Sequence, residues 1–134
     1  MTQGEAIGDV NEANGTAALR ILIVEDEFLV ADHIAYTLEQ LGYEVVGPVA
    51  TIAEAMTLIE DQRIDGALLD ANLDGASSAP IADALNARAV PFVVCTGYGS
   101  LKLSAEVLDV APRVTKPYSR HQFAETLTAA FAVH

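Results

Sequence analysis

The chain has 134 residues, 51% of them hydrophobic, which is enough for one domain with a real core and too little for two of ordinary size. With 19 acidic residues against 7 basic and a formal net charge of −12, it offers no basic patch for nucleic-acid phosphates or an anionic membrane. A single cysteine, Cys95, excludes an internal disulfide, and neither a membrane span nor a signal-peptide layout is present, so the cytoplasm is the expected compartment.

Residues 1–18 are polar and without apolar period, and read as a mobile tail ahead of a domain over 19–134. Leu19 to Val24 is a β-branched run that stops on Glu25-Asp26-Glu27, a buried strand finishing on acids. From Phe28 to Leu41 the pattern turns helical, with Val30, Ile34, Leu38 and Leu41 at three- and four-residue steps and Gly42 as a C-terminal cap. Phe28, Leu29, His33 and Tyr36 lie beside that stripe; they read as partial core, the sharper alternative being an exposed docking stripe for a partner. Tyr43 to Gly47 is a short strand, and Thr51-Ile52-Ala53-Glu54 has the capping-box spacing that opens a helix, turning Ile52, Ala55, Met56 and Ile59 inward.

Next comes Ile64-Asp65-Gly66-Ala67-Leu68-Leu69-Asp70, an apolar run that ends abruptly on a carboxylate. Such a run reads as a strand buried on both faces in the middle of a parallel sheet. Ala71 to Ser78 are loop formers, and Pro80 sits in the first turn of a helix through Ala87, where its missing N–H does no harm. Pro91 to Thr96 is a fourth strand, Gly97 to Ser100 a flexible loop, and Leu101 to Leu108 a short, weakly patterned helix. Val110 to Thr115 makes a fifth strand ending on Lys116-Pro117. Ser119-Arg120-His121-Gln122 repeats the capping-box spacing and opens a last helix with Phe123, Leu127, Ala130 and Phe131 facing in. Strand and helix alternate five times, so the class is α/β, with helices on both faces of a parallel sheet.

The polar ends of these strands then fall at one edge of the sheet, where ligands bind in open α/β folds. Glu25 and Asp26 end the first strand, Asp70 the third, Thr96 the fourth and Lys116 the fifth. Three clustered carboxylates repel one another unless a cation is present. A hard, oxygen-seeking ion such as Mg2+ suits them, and the lysine and hydroxyl then make sense as partners for an anion. Carboxylate nucleophile, metal, lysine and hydroxyl donor are together the parts of a phosphoryl transfer onto aspartate.

In Ile21-Leu22-Ile23-Val24-Glu25-Asp26-Glu27, Leu68-Leu69-Asp70-Ala71-Asn72-Leu73, Thr96-Gly97 and Lys116-Pro117 the sequence resembles the receiver domain of two-component response regulators, over roughly Leu19 to Phe131. The resemblance implies a flavodoxin-like (βα)5 three-layer sandwich with strand order 2-1-3-4-5. It also implies roles. Asp70 would accept a phosphoryl group from a histidine kinase or phosphotransfer protein; Asp26, Asp70 and the backbone carbonyl of Asn72 would hold Mg2+, with Glu25 acting through water. Thr96 and Lys116 would contact phosphoryl oxygens, the Lys116–Pro117 bond is often cis in the family, and Phe28, Leu29, His33 and Pro117 would face the kinase. The chain ends at Val133-His134 without a linker, so a stand-alone receiver is expected, with no DNA-binding output domain and with output through a protein partner or onward phosphotransfer. Such a domain is a phosphoacceptor, not an enzyme acting on other substrates.

Other readings fit less of the chain. Asp70-x-Asn72-x-Asp74-Gly75 opens like an EF-hand calcium loop, but the twelfth position is Ile81 instead of a glutamate. A phosphatase of the haloacid dehalogenase type would want an acid where Asn72 stands. A flavodoxin-like domain binding a small anion without covalent chemistry is the remaining alternative. His33, His121 and His134 have no ligand spacing and read as surface residues, and Cys95 as packing. Two departures from the family stand out: Arg113 occupies the usual aromatic switch position, and Tyr98 supplies an aromatic two residues after Thr96, as in a variant subset of stand-alone receivers. Tyr98 is therefore the expected switch, or else a lid over the site.

Overall fold

The computed structural model describes residues 18–96, 106–109, 111–115 and 119–131. Its elements run β1 (Arg20–Val24), α1 (Phe28–Gln40), β2 (Glu44–Val49), α2 (Ile52–Asp61), β3 (Gly66–Asp70), the two-residue strands β4 (Asn72–Leu73) and β5 (Ala76–Ser77), α3 (Ala79–Ala87), β6 (Phe92–Thr96), α4 (Glu106–Asp109), β7 (Arg113–Thr115) and α5 (Arg120–Phe131). The main sheet is parallel throughout, in the order β2-β1-β3-β6-β7. Setting aside the small antiparallel hairpin β4-β5, this is the expected 2-1-3-4-5 of a flavodoxin-like fold.

The period of two along each strand divides the core into two layers. Leu22, Val24, Ala67, Leu69 and Val94 face one way, against Ala55 and Ile59 of α2, Ile81 and Leu85 of α3, and Leu108 of α4. Ile21, Ile23, Leu68, Val93, Cys95 and Val114 face the other, against Ile34 and Leu38 of α1 and Phe123, Leu127 and Phe131 of α5. The middle strands are buried on both faces, as their unbroken apolar runs require. Both capping boxes form. Glu54 N–H donates to Thr51 Oγ1 at 3.1 Å, though Glu54 Oε1 takes the N–H of Ala50 in place of that of Thr51. At α5 the exchange is reciprocal, Gln122 N–H to Ser119 Oγ at 3.0 Å and Ser119 N–H to Gln122 Oε1 at 3.4 Å.

Four expectations need correcting. Phe28 and Leu29 are each 79% exposed and Tyr36 60%, with His33 exposed beside them, so these residues are not partial core. At 3.6 residues per turn Leu29, His33 and Tyr36 lie opposite the face formed by Ala31, Ile34 and Leu38, with Phe28 at its flank, and Thr37 is buried with that face by donating its hydroxyl to His33 O. The flanks of the expected stripe, Val30 and Leu41, are only half-buried. β2 runs on through Pro48, which an edge strand tolerates because one row of its backbone groups has no ladder partner. Finally, the stretch after Asp70 is not plain loop: it folds back as the hairpin β4-β5.

Residues 1–17, and with them nearly all of the expected tail, lie outside the described residues, as do the first part of the expected fourth helix and His134. Among the described residues no helix is long and apolar enough to cross a membrane.

Candidate functional site

β1 and β3 are adjacent and parallel, with Val24 beside Leu69, so the residues that follow their last apolar positions emerge at the same edge. Beyond β1 the backbone is still held, Glu25 N–H donating to Val49 O at 2.9 Å. The Glu25 side chain is only 3% exposed, and its Oε2 accepts the N–H of Glu27 at 3.1 Å. Asp26 is half-buried, as is Asp70, the last residue of β3 and the register partner of Cys95 in β6. Asp70 Oδ1 accepts the N–H of Asn72 at 3.1 Å.

One carboxylate oxygen from each of Glu25, Asp26 and Asp70 lies within 4.8 Å of the others. At an effective dielectric of ~20, two unit charges at such a separation repel by on the order of a few kcal/mol. The donor set fits Mg2+ in kind: it is all oxygen and anionic, and its three oxygens lie within 4.8 Å of one another.

Thr96 ends β6 with its backbone in register with Thr115 of β7, which puts it at the same edge as Asp70. The side chain of Thr96, and the whole of Tyr98, Lys116 and Pro117, lie outside the described residues. Phe28, at the start of α1, shares a cleft lining with Glu25 and Asp26. That cleft, of about 310 Å³, is lined by Asp26, Phe28, Ala31, Asp32, Pro48 and Val49 among others. What the sequence reading missed is the hairpin beyond Asp70. Its signal was present in Asp74-Gly75, the dipeptide suited to a two-residue turn with positive φ at both central positions.

Residues 21–128 match the family model of the response regulator receiver domain. The chain is 33% identical over 112 residues to the sensory transduction protein LytT of Bacillus subtilis, a match covering 81% of this chain and 46% of LytT. It thus spans about half the length of the curated relatives it matches. Among solved structures, SdrG from Sphingomonas melonis Fr1 is 41% identical with a TM-score of 0.76, covering 88% of this chain and 99% of SdrG. The receiver domain of the sensor histidine kinase PA1611 from Pseudomonas aeruginosa PAO1, solved with a magnesium ion coordinated in its active-site cleft, is 25% identical with a TM-score of 0.73, covering 87% of this chain and all (100%) of that one. Strand order, the acidic cluster and these matches agree, and the chain belongs to the family of response regulator receiver domains.

Proposed function

We propose that this receiver accepts a phosphoryl group on Asp70 from the phosphohistidine of a histidine kinase or a histidine phosphotransfer protein, in the cytoplasm. The observation that carries the reading is the gathering of Glu25, Asp26 and Asp70 at the carboxyl edge of β1 and β3. In this scheme a carboxylate oxygen of Asp70 attacks phosphorus as the P–N bond breaks, and the electron pair goes to the imidazole nitrogen, so a ring protonated on its other nitrogen departs as neutral imidazole. Asp26, Asp70 and the carbonyl of Asn72 hold Mg2+, with Glu25 behind them through water. The bound ion supplies the positive charge that offsets the carboxylates and the phosphoryl oxygens. Thr96 and Lys116 contact those oxygens, and Thr96 with Tyr98 carries the response. The exposed Phe28, Leu29 and His33, together with Pro117, face the phosphodonor. Output passes to a protein partner or by onward phosphotransfer.

Intact-mass measurement after treatment with acetyl phosphate and Mg2+ tests the core of this. One acid-labile, aspartyl-linked phosphoryl adduct is expected in the wild type and none in Asp70→Asn. A wild type that takes up no phosphoryl group favours the non-covalent anion-binding reading instead.

A further inference from the structure

The loop after Asp70 is tied down in an unusually explicit way. Leu73 and Ala76 are paired across a two-residue turn whose central residues, Asp74 and Gly75, have φ of +52° and +91°. That is the requirement of a type I′ turn. Strands of two residues are far too short to hold a hairpin by themselves. In such a turn the N–H of the second central residue has no place in the ladder. Here Asn72 Oδ1 accepts it, from Gly75, at 2.7 Å. The base of the hairpin is closed by Ser78 N–H on Ala71 O at 3.2 Å, and Leu73 anchors it by burial in the core. Asn72 is thereby fixed from both directions: its side chain grips the turn, while its own N–H rests on Asp70 Oδ1 at 3.1 Å.

We infer that the Asn72 side chain is a positioning residue for the acidic site, acting through the hairpin and not by touching the metal or the phosphoryl group. This rests on the assignment of the cluster as a Mg2+ site. The side-chain amide oxygen is committed to Gly75 and the backbone N–H to Asp70, and the side-chain NH2 is a donor that cannot ligate a cation, so the Asn72 acceptor left to serve the site is the backbone carbonyl, whose direction the two bonds set. Cutting the side-chain bond frees the peptide to rotate and loosens the orientation of Asp70 with it.

The test is Mg2+ titration of the full chain, alongside amide exchange of residue 75 measured by NMR without metal. Asn72→Ala is expected to speed exchange at Gly75 and to weaken Mg2+ binding roughly tenfold, the lower end of what loss of an outer-shell partner costs. Gly75→Ala breaks the same turn from the other side. A Cβ there meets nothing within 4 Å, so any effect comes from the φ of +91° alone, and the same weakening is expected. Asn72→Asp keeps the acceptor, so exchange protection and Mg2+ affinity should both be retained. If the wild type binds Mg2+ and Asn72→Ala binds it equally well, the positioning role is overturned while the metal site stands. If the wild type binds no Mg2+, the metal-site assignment fails and takes this inference with it. Loss of affinity in Asn72→Asp with the turn still protected would also overturn it, by showing that the side chain acts on the ion directly.

Discussion

β1 and β3 have two ends, and the chain treats them in opposite ways. At their amino ends, unlike charges are paired and one arginine gathers several hydrogen-bond partners. Arg20 donates its Nε to Arg63 O and its Nη2 to Gln62 Oε1, each at 2.8 Å, and forms an ion pair with Glu44 at the start of β2. Its backbone N–H reaches Asp65 Oδ2 at 2.8 Å, while Asp65 N–H returns to Arg20 O at the same distance. At their carboxyl ends the same two strands gather three carboxylates of one sign. One end pairs charges of opposite sign; the other brings charges of the same sign together. Like charges gathered at the carboxyl edge of an open α/β sheet are the arrangement expected of a cation-binding site.

The contrast breaks most sharply at Asp70. Asp70→Asn keeps the shape of the side chain but removes the nucleophile and one of three repelling charges. Phosphoryl uptake is expected to vanish, and thermal melting in the absence of metal should be no lower than that of the wild type. A clear loss of stability in this variant would mean that the cluster is structural after all.

Next in size is the metal. Asp26 is half-buried at the site, whereas Glu25 is enclosed and has one oxygen on the Glu27 N–H. Asp26→Ala should therefore raise the Mg2+ dissociation constant by more than about 100-fold and Glu25→Gln by only about 10-fold, the low end of the ~10–100-fold that loss of an outer-shell partner costs. Equal losses in a metal titration would contradict that division.

These two predictions were within reach of the sequence, because a buried strand that stops on an acid puts that acid at the carboxyl edge whatever the helices do. The two capping boxes were legible for a similar reason: their partners stand three residues apart and need no tertiary information. The Arg20 clamp was not. Its partners are 24, 42, 43 and 45 residues away, and Arg20 itself sits inside an ordinary-looking strand. The β4-β5 hairpin escaped because two-residue strands are shorter than any periodicity can register. The exposed face of α1 was only half legible: the period sets Phe28 and Leu29 beside the core stripe, but their apolar character alone does not say whether they are partly covered or stand in solvent.

A middle-sized effect belongs to the amino end of β3. Gly66 lies under the ring of Phe131, and a Cβ there would come within 2.7 Å of Phe131 Cε1. That ring also stands edge-on to Tyr43 with centroids 6.1 Å apart, so it has little freedom to withdraw. Gly66→Ala should cost about 1–3 kcal/mol in urea unfolding, as overpacking of a close contact does. Phosphoryl uptake by the folded fraction should be unchanged. A variant that is as stable as the wild type would show that the end of α5 moves aside more easily than its packing indicates.

The smallest effects sharpen the comparison most, because they test whether the paired end is held by charge or by hydrogen bonding. Arg20→Met keeps the aliphatic stem and removes every side-chain donor, leaving Arg63 O, Gln62 Oε1 and the Glu44 carboxylate without it. Arg63, Gln62 and Glu44 are exposed, so water replaces much of what is lost, and about 1–2 kcal/mol is expected. Glu44→Gln removes only the charge. Its side chain is 53% exposed against 21% for Arg20, so the ion pair is screened from the Glu44 side and should contribute no more than about 0.5 kcal/mol. Repeating both unfolding experiments in ~1 M salt, where the screening length falls to about 3 Å, separates the two contributions. The Glu44→Gln difference should disappear there, and most of the Arg20→Met difference should persist, since geometry and not charge carries it. If both differences vanish together, the amino end is held by Coulomb attraction, and the two ends of the sheet differ only in the sign of their electrostatics. If Arg20→Met changes phosphoryl uptake more than about twofold, the ends are coupled through β1, and the division between a structural and a reactive end is wrong.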